Sequence, residues 1–298
     1  MKNVSIIIPI FNSERYLHGL FKCLDKCEYL DGDEILLVDN GSKDNTKELC
    51  LQQVEKSSRY KYLYFDEKAD SYATRNFGVR NSTGEILVFT DSDCKPTSEW
   101  LSTIRSNIKK GTFIAGNILL EIVDNSVWEC FDSITHLSQT KNNLAEGHVA
   151  TANMAVLRDD FLNRVGYFEE RFAGGDFEWS KRAVTCGMNL LFLENALVYH
   201  PSRKTYEEIL TREKRSAYGA GKHYCILKKN KLKLRIVYFL KIFKLDTYLK
   251  LANQMKNKGI PSKEVRLFIR KYFGIRVQQL RAALAGYDGK DPRQLGIK

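Results

Sequence analysis

The sequence predicts an α/β fold, a mostly parallel sheet flanked by helices, with a basic helical extension at its C-terminal end. Three observations predict it. Short apolar runs alternate with helical-period segments through the first ninety residues. The runs are too uniformly apolar to carry a solvent face, as strands buried on both sides require. The last third then changes to a Lys-rich, aromatic, helical composition.

Residues 4–11 (VSIIIPIF) form an unbroken apolar run with β-branched residues, which suits a fully buried strand. Residues 14–27 have helical periodicity. Residues 34–39 (EILLVD) predict a second strand, stopped by the turn dipeptide Asn40-Gly41. Asp44-Asn45-Thr46 offers caps to a helix over 46–57. A weaker strand follows over 60–65, then a helix over 70–82 ended by Thr83-Gly84. Residues 85–90 (EILVFT) predict a fourth strand. Alternation on this length scale argues for parallel βαβ units, in which ligands gather beyond the carboxyl ends of the strands. Asp39 and Asp91 are expected at those ends. The pattern then loosens: a strand over 112–122, an irregular stretch over 126–147, extended chain over 149–157, a helix over 176–187, one or two strands over 190–199, and helix from about 205 onward.

With 298 residues, 43% of them hydrophobic, the chain can bury one large domain with an appendage. A catalytic domain is expected over 1–225, its halves meeting near 95, with a basic helical region over 226–298. The charge is uneven. Residues 201–298 hold 25 Lys and Arg against 7 Asp and Glu, whereas the remainder holds 22 against 29. A basic region of this kind favours phosphates, nucleic acid or an anionic membrane face, unless it is simply a solvated helical surface. The seven cysteines include no CxxC pair. Cys23 and Cys27 lie one helical turn apart without a second pair to complete a zinc site, so reduced thiols are expected. Met1-Lys2-Asn3 runs straight into the first strand without a cleavage-site pattern, and no run reaches the ~18 apolar residues of a membrane span. A cytoplasmic protein is the expectation.

Asp91 and Asp93 flank Ser92 directly after Val88-Phe89-Thr90. Two carboxylates one residue apart at a strand end can approach one divalent ion, and as oxygen ligands they suit Mg²⁺ or Mn²⁺. Such an ion can neutralise charge developing on a diphosphate. Alone, the triplet also fits a surface turn.

Together the motifs resemble the GT-A family-2 glycosyltransferases, which use nucleotide-diphosphate sugars. VSIIIPIFNSERYL resembles the family's first strand and turn, which implies nucleotide contacts at Pro9, Phe11 and Glu14. ILLVDNGSKDNT resembles the usual Asp-Asp-Gly-Ser motif and assigns base recognition to Asp39, with Ser42 nearby; Asn40 departs from the pattern. ATRNFGVRNSTGEILVFTDSD resembles the run leading into the DxD motif, placing Arg75, Asn76, Asp91 and Ser92 at the nucleotide sugar. ANMAVLRDDFLNRVGYFEERF resembles the acceptor-side segment, with Asn153 and, further on, Trp179 as acceptor contacts. Inverting relatives carry Glu-Asp at a helix start, with the Asp as general base. Here the chain reads Gly175-Asp176-Phe177-Glu178, which implies Asp176 as base, Glu178 as the alternative, and a departure at Gly175. The family's histidine after the last strand maps onto His200, which would join Asp91 and Asp93 as a metal ligand. His18, His136, His148 and His223 have no such context.

The resemblance implies transfer of one sugar, UDP-sugars favoured, to a glycan or lipid-linked acceptor hydroxyl with inversion and with Mn²⁺ or Mg²⁺, in cell-surface glycan or polysaccharide biosynthesis. Processive members carry a Gln-x-x-Arg-Trp signature that is missing here. Three rivals stand beside it. A sugar nucleotidyltransferase would open on a Gly-rich loop, where this chain reads Pro-Ile-Phe-Asn-Ser-Glu. A nucleic-acid-binding or membrane-binding protein would use the basic tail, although no nucleic-acid recognition motif is present. An inactive relative would explain Gly175. Lys and Arg interleave with apolar residues over 231–285, which predicts peripheral association with the inner face of an anionic membrane, or else a contact between copies.

Overall fold

The computed structural model describes residues 2–67, 70–136, 139 and 149–297. His148 and much of the stretch 126–147 lie outside these. The chain forms two compact units. The first comprises residues 1–121, 137–170 and 175–201; the second comprises 122–136, 171–174 and 202–298. The division is discontinuous in sequence, and residue 225, the expected boundary, falls inside a helix of the second unit.

The first unit is built on one sheet of eight strands among the described residues: β1 (Val4–Ile10), β2 (Glu34–Asp39), β3 (Tyr60–Tyr64), β4 (Ile86–Thr90), β5 (Lys95–Pro96), β6 (Thr112–Glu121), β7 (Asn153–Leu157) and β8 (Asn189–Pro201). Their order is β3-β2-β1-β4-β7-β6-β8-β5. β1, β2, β3 and β4 pair in parallel, as do β6 and β8, while β7 and β5 run against their neighbours. The mostly parallel expectation holds. β1 is sandwiched as its sequence predicts: Ile6, Ile8 and Ile10 enter one core and Ile7 the other.

The register fixes the site. Ile10 pairs with Asp39, so β1 and β2 end level with each other. The helices α1 (Glu14–Leu24), α2 (Thr46–Lys56) and α3 (Ser71–Arg80) follow β1, β2 and β3 as crossovers, and α4 (Trp100–Asn107) follows β5. α3 sits close on the sheet because residue 78 is glycine: a Cβ there would stand 2.6 Å from Ile7 Cγ2. Asp44, just ahead of α2, accepts from Thr46 N at 3.2 Å, and α3 is capped by Asp70, which accepts from Tyr72 N and Ala73 N.

The second unit is helical: α5 (Val127–Thr135), α7 (Tyr206–Ile226), α8 (Lys231–Ile242), α9 (Leu245–Asn257) and α10 (Ser262–Tyr287), with α6 (Gly175–Thr185) belonging to the first unit. α5 lies where irregular chain was expected. Its start is a capping box, Ser126 Oγ accepting from Glu129 N while the Glu129 carboxylate accepts from Ser126 N. Glu129 is fully buried and also accepts from Ser202 Oγ at 2.9 Å. Arg212 is buried against Asp132 and Glu213, so it serves this unit's interior. In its core Phe268 stacks on Tyr272, and Phe131 packs tilted against the first and edge-on against the second. No described helix is long and apolar enough to cross a membrane.

Candidate active site

The ends of β1 and β2 are tied into one cradle. Asn12 takes a left-handed conformation, φ 48°, from which its Oδ1 accepts from Lys43 N and its N–H donates to Ser42 Oγ at 2.9 Å. Ser42 donates twice to Asp39 Oδ1, from its hydroxyl at 2.7 Å and its N–H at 3.0 Å. Tyr62 donates to the other oxygen, Oδ2, at 2.8 Å. Burial first, then the bond to Asp39, pushes the Tyr62 phenol above its ordinary value and keeps it a donor. Asp39 is 1% exposed with both oxygens bonded, so it anchors the turn at the end of β2 from inside. Glu14 likewise holds the loop, accepting from Asn45 Nδ2 at 2.8 Å and Asn45 N at 3.2 Å. Pro9 is half-buried, whereas Phe11 stands 60% exposed as an apolar face on this rim. Ser13 Oγ meets Ser92 Oγ at 2.8 Å and so ties the cradle to the Asp91-Ser92-Asp93 turn.

That turn leaves β4 and meets the end of β8. One ligand atom each from Asp91, Asp93 and His200 lies within 4.8 Å of the others. His200 Nε2 is 3.5 Å from Asp93 Oδ1, and its Nδ1 is 2.8 Å from the Pro201 carbonyl. With Nδ1 turned to that carbonyl, Nε2 is the ring atom that faces the carboxylates and the one a metal ion would take. Two half-buried carboxylates and one imidazole form a donor set that suits Mn²⁺ and also accepts Mg²⁺. Behind the turn, Cys94 is fully buried, and burial first, with the two carboxylates adding, pushes its thiol far up. It is a packed apolar group.

A second chain of contacts runs from the same turn to α6. Arg75, nearly buried on α3, forms an ion pair with Asp91 and donates to the Ser71 carbonyl at 3.2 Å. Its guanidinium lies 5.6 Å from the centroid of the Tyr72 ring. Tyr72 donates to Asp176 Oδ1 at 2.9 Å, and Phe177 N donates to the same oxygen. Among the described residues, Asp176 Oδ2 has no hydrogen-bond partner. Burial first, then the charge of Asp176, pushes the Tyr72 phenol upward, so it remains a proton donor to the carboxylate. The Tyr72 ring also fills the place beside Gly175: a Cβ at 175 would stand 2.8 Å from Tyr72 Cδ2. Nothing in the local sequence marks Tyr72 for this role.

Four expected site residues are engaged elsewhere. Glu178 is held by Arg182 through both oxygens, at 2.9 and 3.0 Å, while Arg182 also donates to the Tyr167 carbonyl. Asn76 is buried and acts as a backbone mimic, donating to Phe168 O and accepting from Phe168 N. Asn153 is fully buried; it accepts from Trp100 Nε1 and donates to Asn117 O and Ala196 O, which spans β7, β6 and β8. Trp179 is also fully buried, stacked on Phe161 with its Nε1 donating to Gly166 O. The acceptor contacts expected at Asn153 and Trp179, and the nucleotide contact at Asn76, are therefore interior struts. Burial is a tertiary property that their local motifs do not encode.

Comparison with known proteins shows the family and the fold. The family model described as Glycosyl transferase family 2 matches residues 5–166. Glycosyltransferase AglE of Haloferax volcanii is 33% identical over 252 residues, 83% of this chain and 81% of that protein. The Campylobacter jejuni GalNAc(5)-diNAcBac-PP-undecaprenol beta-1,3-glucosyltransferase is 30% identical over 123 residues, 41% of this chain and 40% of that one. Among solved structures, the mannosyltransferase PcManGT from Pyrobaculum calidifontis, in complex with GDP-Man and Mn²⁺, aligns with a TM-score of 0.65 at 16% identity, covering 97% of this chain and 88% of that one.

Proposed function

The chain belongs to glycosyl transferase family 2, with its GT-A fold, and from that premise we propose an inverting, metal-dependent transfer of one sugar from a nucleotide sugar to an acceptor hydroxyl. The observation that carries the reading is the convergence of Asp91, Asp93 and His200 at the carboxyl end of β4. These three would hold Mn²⁺ or Mg²⁺. When bound, the ion supplies positive charge against the negative charge on the leaving nucleoside diphosphate.

The chain's own residues do the rest. Phe11 offers its exposed face to a nucleobase, beside Pro9 and the turn that Asp39 and Ser42 hold. Arg75 compensates Asp91 and brings a second cation near the diphosphate. Asp176 accepts the acceptor's proton at Oδ2, while Tyr72 fixes Oδ1. The acceptor oxygen bonds to the anomeric carbon as the bond to the phosphate oxygen breaks, and a single displacement inverts the centre. Glu178, paired with Arg182, leaves the base role to Asp176.

UDP- and GDP-sugars are both candidate donors: PcManGT was solved with GDP-Man. The acceptor we propose is a glycan carried on a lipid pyrophosphate, by analogy with the named Campylobacter enzyme, at the inner face of the cell membrane. Incubating the protein with a panel of nucleotide sugars and Mn²⁺, then reading nucleoside diphosphate release and the product's anomeric configuration by NMR, tests this. Retained configuration would refute single displacement.

A further inference from the structure

The helix α8 is apolar on two opposite sides. Leu234, Tyr238 and Ile242 are buried in its own unit. Leu232, Ile236, Phe239, Leu240 and Phe243 recur at helical spacing on the other side, and all are 48–62% exposed. A helix packed on one side only should be polar on the other, so this second stripe needs a partner. It is extended by Leu245 and Leu249 of α9, 66% and 55% exposed, and by Phe273, whose ring meets that of Phe243 at 6.1 Å.

Charge selects the partner. At 100° per residue, Arg235 borders the stripe on one side and Lys233 and Lys244 border it on the other. Residues 228–258 hold ten Lys and Arg and a single acid, Asp246. A second copy of the same face would bring these like charges together, whereas an anionic surface would neutralise them. Beside the stripe lies a hollow of about 630 Å³ lined by Leu232, Arg235, Arg281 and Lys290, with Lys231 paired to Asp288 across it. Among the described residues, Arg235 and Arg281 have no acidic partner.

We propose that α8, α9 and this basic hollow form a docking surface for an anionic lipid bilayer. The apolar stripe enters the boundary between headgroups and acyl chains, Lys233 and Lys244 reach the headgroup layer, and the hollow seats the phosphate of an anionic lipid. The surface is independent of the transfer chemistry, so it stands or falls separately from the proposed reaction.

Co-sedimentation of the full chain with vesicles of phosphatidylcholine alone, or of phosphatidylcholine mixed with phosphatidylglycerol, tests it. The wild type is expected to bind the mixed vesicles at least about tenfold more tightly, and less so at high salt. Ile236→Glu with Leu240→Glu, both at exposed positions, should weaken binding to mixed vesicles about tenfold or more with an unchanged melting temperature. Arg235→Ala with Arg281→Ala should reduce the preference for phosphatidylglycerol while leaving binding to phosphatidylcholine alone unchanged. A wild type that does not pellet with the mixed vesicles overturns the proposal, as does a double glutamate variant that binds like wild type. So does light scattering showing a dimer that the glutamates dissociate without affecting vesicle binding; the stripe would then be a contact between copies.

Discussion

The phenol of Tyr72 donates to Asp176 Oδ1 at 2.9 Å, and its ring occupies the space that a side chain at position 175 would need. Relatives in the resemblance carry Glu before the base; here the position is Gly175 and an aromatic from α3 takes the room. The ring thus positions Asp176 from a different element. Tyr72→Phe keeps the ring and removes the hydrogen bond. The expected result in steady-state kinetics is a fall in kcat of about tenfold, the worth of one charge-assisted bond, with the donor KM within about twofold. Asp176→Asn should cost far more, about 10²- to 10⁴-fold, as loss of a general base does. Loss of activity in Asp176→Asn with none in Tyr72→Phe would remove the positioning role and keep the base.

Unfolding midpoints test whether the Tyr72 ring excludes a side chain at position 175. Gly175→Ala puts a Cβ 2.8 Å from the Tyr72 ring and should destabilise the protein by about 1–3 kcal/mol. In a Tyr72→Ala background the same substitution should cost almost nothing, so the double-mutant cycle should show coupling. Additive effects would mean that the ring does not set the residue at 175.

His200 should act on metal affinity. His200→Ala removes the imidazole whose Nε2 lies 3.5 Å from Asp93. Titration with Mn²⁺ should show affinity weakened by at least about tenfold, with the melting temperature in EDTA nearly unchanged. Equal Mn²⁺ affinity in the variant would take His200 out of the site.

Glu34 at the head of β2 should contribute to stability in acid. Burial alone would raise its pKa, but Lys61, Ser5, Thr83 N and Thr83 Oγ1 all donate to the carboxylate, and together they hold it down to about 2. A depressed carboxylate contributes stability that is complete above its ordinary value near 4.5 and is lost as pH falls through about 2. Urea unfolding should therefore show the wild type losing on the order of 3 kcal/mol from this group across that window. Glu34→Gln should be less stable at pH 6 and should lose that part of the slope.

Much of this was legible locally. β1, β2 and β4 are short, uniformly apolar runs with turn signals after them, so their ends, and hence the positions of Asp39 and Asp91, follow from the sequence. The resemblance already groups His200 with Asp91 and Asp93; only the fold shows that the end of β8 brings His200 within 3.5 Å of Asp93. α5 was missed although Ser126-Val127-Trp128-Glu129 spells a capping box, because the polar stretch around it hides the period. The roles of Asn76, Asn153 and Trp179 were not legible, since the same residue types serve a nucleotide, an acceptor or a core, and only packing distinguishes them. Gly175 and Tyr72 lie about a hundred residues apart, so their fit is visible only in the fold.

Metal-dependent transfer is tested most directly by nucleoside diphosphate release from a donor panel by the wild type and Asp93→Ala, with Mn²⁺ or with EDTA. The wild type with Mn²⁺ should release nucleoside diphosphate from at least one nucleotide sugar, with a fall of about a hundredfold or more in EDTA or on removing Asp93. Release that persists undiminished in EDTA and in Asp93→Ala would contradict it.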